Sequence, residues 1–187
     1  MSRTGLTTLA LAAMLGSVAV GTGAPIPAAA ATAREIAAEA EPALTRLYNQ
    51  NPVARQYAAR AKGILVFPEI TKAGIGIGGS YGEGVLYVGG RPKGYYSVGS
   101  GSIGLTLGAQ SFSQVIMFMT ADALRKFQAS KGWEAGVDGS VVAIDEGAAA
   151  STGTLKSQEP VVGFTFGQQG LMADASFSGM KYTRIKR

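Results

Sequence analysis

The amino-acid sequence predicts an α+β fold in which two N-terminal helices, and one further helix near residues 121–130, pack on a bent, barrel-like antiparallel sheet. The main observation is a glycine-rich stretch, since residues 72–108 contain 13 glycines in 37 positions, set among Ile, Val, Leu and Tyr. Glycine within an apolar strand marks a bulge, a bend or a close approach between backbones. A flexible linker would instead combine glycine with small polar residues.

Two helices are predicted before the sheet. In residues 33–48 the apolar residues recur at spacings of three and four, which indicates a helix, and we expect Pro42 to kink or split it. Asn51 as N-cap and Pro52 at the first helical position predict a second helix over 53–62. The apolar face of this pair is narrow and rich in alanine, so we expect it to pack on the sheet rather than enter a membrane.

Strand patterns fill most of the remaining chain. The continuous apolar run Ile64–Phe67 predicts a buried strand. Thr120 can cap the helix predicted over residues 121–130, and the small, polar segment 146–159 is expected to form a loop. Further strands are expected at 73–81, 84–89, 94–100, 102–109, 115–119, 133–144, 161–167 and 171–185.

The N-terminus has the order of a secretory signal. Arg3 is the single charged residue in the first 33 positions, and an apolar segment and a run of small residues follow it. This pattern predicts a signal peptide over residues 1–31, cleaved after Ala31 or Ala33, and one domain over 32–187. An uncleaved anchor is the alternative. We expect a periplasmic or secreted protein without a lipid anchor, because the sequence contains no cysteine.

The composition argues against catalysis. With no histidine and no cysteine, most nucleophilic, general-base and zinc chemistries lack their usual groups. Four carboxylates form no recognisable pair by sequence: Asp138, Asp145, Glu146 and Asp174. We therefore predict a protein that is not an enzyme, with no catalytic residues, no metal site and no cofactor.

Two familiar motifs match by accident. G-x-G-x-x-G at residues 74–79 would require a following helix and an acidic residue about twenty positions later. A strand pattern follows instead, and no acidic residue occurs between Glu83 and Asp122. G-x-S-x-G at residues 78–82 resembles a nucleophile elbow, but a serine triad needs a base and the chain has no histidine.

Basic residues and tyrosines alternate in the glycine-rich half and return at the C-terminus. Cations beside amphipathic tyrosines suit the headgroup layer of an anionic membrane. The alternative is that these charges are solvated and protect sheet edges from association. Nucleic acid is a poor candidate partner, because the excess of 17 basic over 12 acidic residues is modest. The candidate lipid-binding residues are Lys62, Lys72, Arg91, Lys93, Tyr95, Tyr96, Lys181 and Arg184.

Four phrases occur in a characteristic order: Ala61-Lys62-Gly63-Ile64, Lys72-Ala73-Gly74, Gly104-x-x-x-Gly108-Ala109-Gln110 and Gly170-Leu171-x-Ala173-x-x-Ser176-x-x-Gly179. Together they resemble the SYLF-domain family of lipid-binding proteins over about residues 53–187. The resemblance implies binding of anionic membrane lipids without catalysis. Phosphoinositides and actin are partners of eukaryotic members, so for an exported chain only an anionic lipid or membrane surface carries over. Lys62 and Lys72 are the basic residues that lie within the phrases.

We therefore predict a non-enzymatic lipid-binding domain that associates with anionic phospholipid or the membrane surface in the cell envelope. One alternative is a structural or protein-interaction module of the envelope. Another is a small outer-membrane β-barrel, because Phe164, Phe166 and Phe177 alternate with polar residues. The predicted helices and the basic C-terminus argue against that second alternative.

Overall fold

The computed structural model describes residues 31–144, 159–170 and 177–187. Residues 1–30 of the predicted signal peptide, nearly all of the predicted loop at 146–159 and the first part of the predicted strand 171–185 lie outside the described residues. The α+β prediction is confirmed. The helices are α1 (Ala33–Gln50), α2 (Pro52–Ala58) and α3 (Ala121–Ala129). The strands are β1 (Gly63–Val88), β2 (Arg91–Phe118), β3 (Trp133–Glu134), β4 (Val142–Ala143), β5 (Val161–Gly170) and β6 (Lys181–Ile185).

The glycine-rich half forms one long hairpin. β1 and β2 pair antiparallel from Gly63 opposite Phe118 to Val88 opposite Arg91. Gly89 and Gly90 form the turn between them with φ values of 59° and 74°, which favour glycine. The four separate strands predicted between residues 73 and 109 are therefore parts of two continuous strands. Register shifts, rather than chain breaks, provide the irregularity.

β1 folds back on itself, and glycine is required where its two halves meet. A Cβ on Gly82 would lie 2.6 Å from the carbonyl oxygen of Glu69. A Cβ on Gly84 would overlap the carbonyl oxygen of Val66 and lie 2.6 Å from Cδ1 of Phe67. The second half of β1 therefore lies against the first half without room for a side chain. We call residues 73–79 of β1 the bend, and the end of the hairpin at Gly89 and Gly90 the turn end.

The strands form one curled sheet that resembles half of a barrel. Its order is β3-β6-β2-β5-β4, and β1 pairs with β2 beside this path. The pair β4 and β5 is parallel and the other described pairs are antiparallel. The sheet is thus mostly antiparallel, as predicted, with one parallel pair. The strand predicted over 133–144 is reduced to β3 and β4, because the chain turns at Gly136, whose φ is 91°.

Both faces of the sheet are covered by apolar side chains. Successive residues of a strand point to opposite faces, so Leu65 and Phe67 join one buried cluster while Val66 joins the other. The first cluster includes α3 and Trp133. The second cluster includes the buried residues of α1 and α2, which confirms the prediction that these helices pack on the sheet.

α1 is one uninterrupted helix, so Pro42 does not split it, which was one of the two predicted effects of this residue. Ala40, Ala43 and Leu47 are buried on both sides of the proline, and this packing stabilises the helix despite the missing hydrogen bond. Thr32 and Glu35 form a capping box at its start. Within the part of the chain that the structure describes, no helix is long and apolar enough to cross a membrane.

α2 begins as the sequence predicts and ends earlier. Asn51 is buried, and its Oδ1 accepts hydrogen bonds from the backbone N–H groups of Val53 (3.1 Å) and Ala54 (3.3 Å). Pro52 occupies the first turn, where no intrahelical N–H is needed. The helix stops at Ala58 rather than near residue 62. Lys62 is bonded through its backbone N–H to the carbonyl of Phe118 at 2.8 Å, so it already follows the sheet.

Candidate functional site

The predicted basic residues separate into groups along the hairpin. At the turn end, Lys62 lines the same groove as Gly89 and Gly90. Nη2 of Arg184 donates to the carbonyl oxygen of Lys93 at 3.5 Å, which brings β6 to the start of β2 beside Arg91. Lys72 lies opposite Gln110 near the bend, and Lys181 lies opposite Gly99 between the two ends. Nine residues of strand separate Gly79 from Val88, which corresponds to about 30 Å.

None of these six cations makes an ion pair with another described residue. The described ion pairs join Asp122 to Arg125 and Lys126, and Glu83 to Arg187. The cations at both ends of the hairpin can therefore meet an external anion. In residues 31–144, 159–170 and 177–187 no three carboxylates converge to hold a metal ion.

The two predicted tyrosines point to opposite faces of β2. Tyr96 is only 2% exposed, and its ring centroid lies 4.8 Å from that of Phe127 in the core. Burial raises the pKa of its hydroxyl. Tyr96 is therefore a core residue, and it does not belong to the surface set that the sequence suggested. Tyr95 is half-buried and packs at the edge of the cluster beneath α1 and α2.

A groove of about 430 Å³ lies between α1, the end of α2 and the turn end. Its apolar wall is formed by Leu44, Ala58, Ala61 and Ile64. Its polar groups are Lys62, Glu41 and Tyr87. The volume falls within the range of small-molecule sites. Sequence reasoning missed Leu44 and Tyr87 as lining residues, although the phrase Ala61-Lys62-Gly63-Ile64 contributes four neighbours in the chain to this wall.

The hydroxyl of Tyr87 in this groove is buried and has no hydrogen-bond partner. Burial raises its pKa, and the Glu41 carboxylate and Tyr95 raise it further. It is therefore a neutral donor at physiological pH. An unpaired buried hydroxyl costs free energy. A ligand oxygen that accepts a hydrogen bond from it would recover this cost. Glu41 and Lys62 are both exposed and line the groove, so an anionic group is best placed on the side of Lys62.

The bend has a different character. Ile75 is 83% exposed and Ile77 is 74% exposed, next to a shallow hollow lined by Ala73, Gly74, Ile75 and Gly108. Sequence reasoning placed these isoleucines in the sheet and did not foresee their exposure. The signal that could have shown it is the run of residues 73–79, which contains no polar side chain.

Gln110 lies between the bend and the core and is buried without partners. It is 2% exposed, and neither its Nε2 nor its Oε1 finds a hydrogen-bond partner. Ser80 of β1 lies opposite Ser100 of β2, and their hydroxyl oxygens are 2.7 Å apart. On the side of the bend, the part of the sheet next to the apolar core therefore carries polar side chains.

Residues 99–186 match the family model described as Ysc84, Las17-binding protein actin regulator. The chain is also similar to "Beta cell expansion factor A" of Aeromonas veronii, with 31% identity over 146 residues. That alignment covers 76% of this chain and 53% of the relative, so the chain spans about half the length of the relative.

Proposed function

The chain belongs to the SYLF (Ysc84) family through its residues 99–186, and on that basis we propose that it is a lipid-binding domain for anionic phospholipid or the anionic membrane surface. Membership confirms the resemblance that the four sequence phrases carried. The family is one of binding domains rather than enzymes, which supports the proposal that this chain also binds without catalysis.

The groove at the turn end is the observation that carries the proposal. An acyl chain fits the apolar wall of Leu44, Ala58, Ala61 and Ile64, whose burial by a ligand is favourable. A phosphate at the groove would meet Lys62, and Arg91 directly follows Gly90, another lining residue. The unpaired hydroxyl of Tyr87 supplies a hydrogen bond that a neutral apolar ligand could not use. This combination suits an amphiphile with an anionic head.

Export of the chain is part of the proposal. Its support is the charge and apolar order of residues 1–31, and the cap of α1 suits cleavage after Ala31. The hydroxyl of Thr32 accepts from the backbone N–H of Glu35, and the backbone nitrogen of Thr32 donates to Oε2 of Glu35 at 2.7 Å. Cleavage after Ala33 would remove this cap. Sequencing the N-terminus of the exported protein should therefore find Thr32 first.

Lipid binding can be tested with vesicles. The purified chain should co-sediment with vesicles that contain phosphatidylglycerol and much less with pure phosphatidylcholine, and added salt should weaken the binding. Replacing both Lys62 and Arg91 with Gln should lower the affinity roughly tenfold or more, at about 1 kcal/mol for each cation near an anionic surface. Arg125→Gln with Lys131→Gln removes two exposed cations elsewhere and should change the affinity little.

Tyr87→Phe separates the groove from general electrostatics. The variant should bind a soluble short-chain phosphatidylglycerol a few-fold more weakly in calorimetry, while its stability should not fall, because the hydroxyl has no protein partner. Equal binding of neutral and anionic vesicles would refute the electrostatic part of the proposal. The family description names a protein, Las17, as a ligand of its members. Capture of an envelope protein in lipid-free buffer, without vesicle binding, would favour an interaction module instead.

A further inference from the structure

The bend exposes an apolar tip. Residues 73–79 carry only Ala, Ile and Gly, so seven consecutive positions have no polar side chain. Single exposed apolar residues are common on protein surfaces, whereas contiguous ones mark a contact. Among the residues whose side chains the structure describes, a set that leaves out 102–107, four large apolar side chains are exposed. Three of them lie between positions 75 and 81: Ile75, Ile77 and Tyr81.

The backbone of the bend is paired on both sides of one irregularity. Gly74 lies opposite Gly108 and Ile75 opposite Leu107, and pairing resumes with Ile77 opposite Ile103. Between these pairs, Gly76 and residues 104–106 are left out of the ladder. The hydrocarbon core of a bilayer tolerates only backbone whose N–H and C=O groups are paired within the protein, whereas the boundary between headgroups and acyl chains admits partly buried amphipathic segments. The apolar tip is therefore suited to that boundary rather than to the hydrocarbon core.

The charges around the tip match an anionic surface. Lys72 directly precedes the bend and makes no ion pair with a described residue. On the other arm, Tyr81 is amphipathic and donates to Glu83 at 2.7 Å, and Arg187 neutralises that carboxylate. Glu69 lies beyond Lys72, farther from the bend. A membrane interface has charged headgroups outside and apolar chains inside. A cation and a tyrosine next to an apolar tip match this order, because the cation and the tyrosine can meet the headgroups while the tip meets the chains.

We infer that the bend inserts Ile75 and Ile77 into the headgroup–acyl boundary of an anionic bilayer, with Lys72 against the headgroups. The inference rests on the proposed function and adds an apolar contact to it. The two contacts lie at the bend and at the turn end, which are about 30 Å apart along the second half of β1.

Site-specific labelling tests the insertion directly. The sequence has no cysteine, so Ile75→Cys creates a single site for a polarity-sensitive fluorophore. Val137→Cys is a matched control, because Val137 is 73% exposed but lies outside the hairpin. With vesicles of phosphatidylcholine and phosphatidylglycerol, the label at position 75 should shift to the blue and be quenched by lipids brominated in their acyl chains. The label at position 137 should do neither.

A label-free measurement completes the test. Ile75→Ser combined with Ile77→Ser should lower the affinity for the same vesicles roughly tenfold or more, since two apolar side chains lose their burial. Val137→Ser should leave the affinity unchanged. If the unmodified chain co-sediments but position 75 shows no shift and the serine variant binds normally, the insertion is refuted and the proposed function stands. If the unmodified chain does not co-sediment with anionic vesicles, both are refuted.

Discussion

The core around Tyr182 and the region of the bend treat the same side chain in opposite ways. Gln114 on β2 is fully buried, and its Oε1 accepts a hydrogen bond of 2.8 Å from the hydroxyl of Tyr182. Its Nε2 contacts Sδ of Met180 at 3.5 Å. Gln110 lies four positions earlier on the same face and is nearly as buried, yet neither atom of its amide has a partner.

The difference indicates that the side chains around Tyr182 contribute more to the stability of the fold than those near the bend. In the Tyr182 core, aromatic rings pack against one another, with Tyr182 5.6 Å from Phe67 and 5.8 Å from Trp133 between centroids. Toward the bend the same sheet retains an unpaired amide and exposed isoleucines, each of which costs free energy in the isolated chain. Buried polar groups are almost always paired, so the amide of Gln110 differs from that of Gln114 in lacking a partner within the protein.

The largest expected change in stability distinguishes a glycine that is packed against other atoms from a glycine that has free space around it. Gly84→Ala should destabilise the chain by about 3 kcal/mol or more, because the new Cβ overlaps backbone that cannot rotate away. Gly101→Ala should change stability by less than about 1 kcal/mol, since no atom lies within 4 Å of the added carbon. Urea denaturation measures both. Equal losses would show that Gly101 is as tightly packed as Gly84.

The two glutamines provide a sharper comparison of smaller size. Gln114→Met should cost about 1–3 kcal/mol, because the Tyr182 hydroxyl loses its carbonyl acceptor. Gln110→Met should be neutral or stabilising, because it removes an unpaired amide from a buried site. The same denaturation experiment gives both values. If the loss of stability at Gln110 equalled that at Gln114, the side-chain amide of Gln110 would have a hydrogen-bond partner after all, and the contrast between the two glutamines would be wrong.

The sequence predicted the elements whose ends are determined by neighbouring residues in the chain. Asn51 and Pro52 begin α2, and Thr120 begins α3, because a cap satisfies N–H groups within its own turn. Pro42 does not split α1, because tertiary burial on both sides of it outweighs one hydrogen bond. The separate strands predicted in the glycine-rich half were wrong in number, because bulges keep long strands continuous and leave no break in the sequence.

The candidate site was only partly predictable for a similar reason. Lys62 and Lys72 were found through phrases of adjacent residues. The groove joins α1 to the turn end, which are more than forty positions apart in the chain, so Leu44 and Tyr87 could not be paired by spacing. Tyr96 was misplaced because neighbouring tyrosines on a strand must face opposite ways, and only packing decides which of the two is buried.

The smallest expected effect appears at alkaline pH. Burial raises the pKa of Tyr182 above its value in the unfolded chain, which is about 10. The folded state therefore holds this proton more tightly, so its contribution to stability is fully present below about pH 10 and is lost as the pH rises further. Above pH 10, the free energy of unfolding should fall by up to about 1.4 kcal/mol for each pH unit on account of this group.

Tyr182→Phe should remove that part of the alkaline loss, which is measured as the change in unfolding free energy between pH 9 and pH 11, about one unit either side of the tyrosine reference value. The lost hydrogen bond to Gln114 lowers both values alike and cancels in the difference. Tyr81→Phe is the matched control from the bend side. Partial burial and the Glu83 carboxylate also raise the pKa of Tyr81, but its side chain is largely exposed, so its removal should alter the slope less. If both variants flatten the alkaline limb equally, the Tyr182 core is no better sealed from solvent than the bend, and the contrast between the two regions fails.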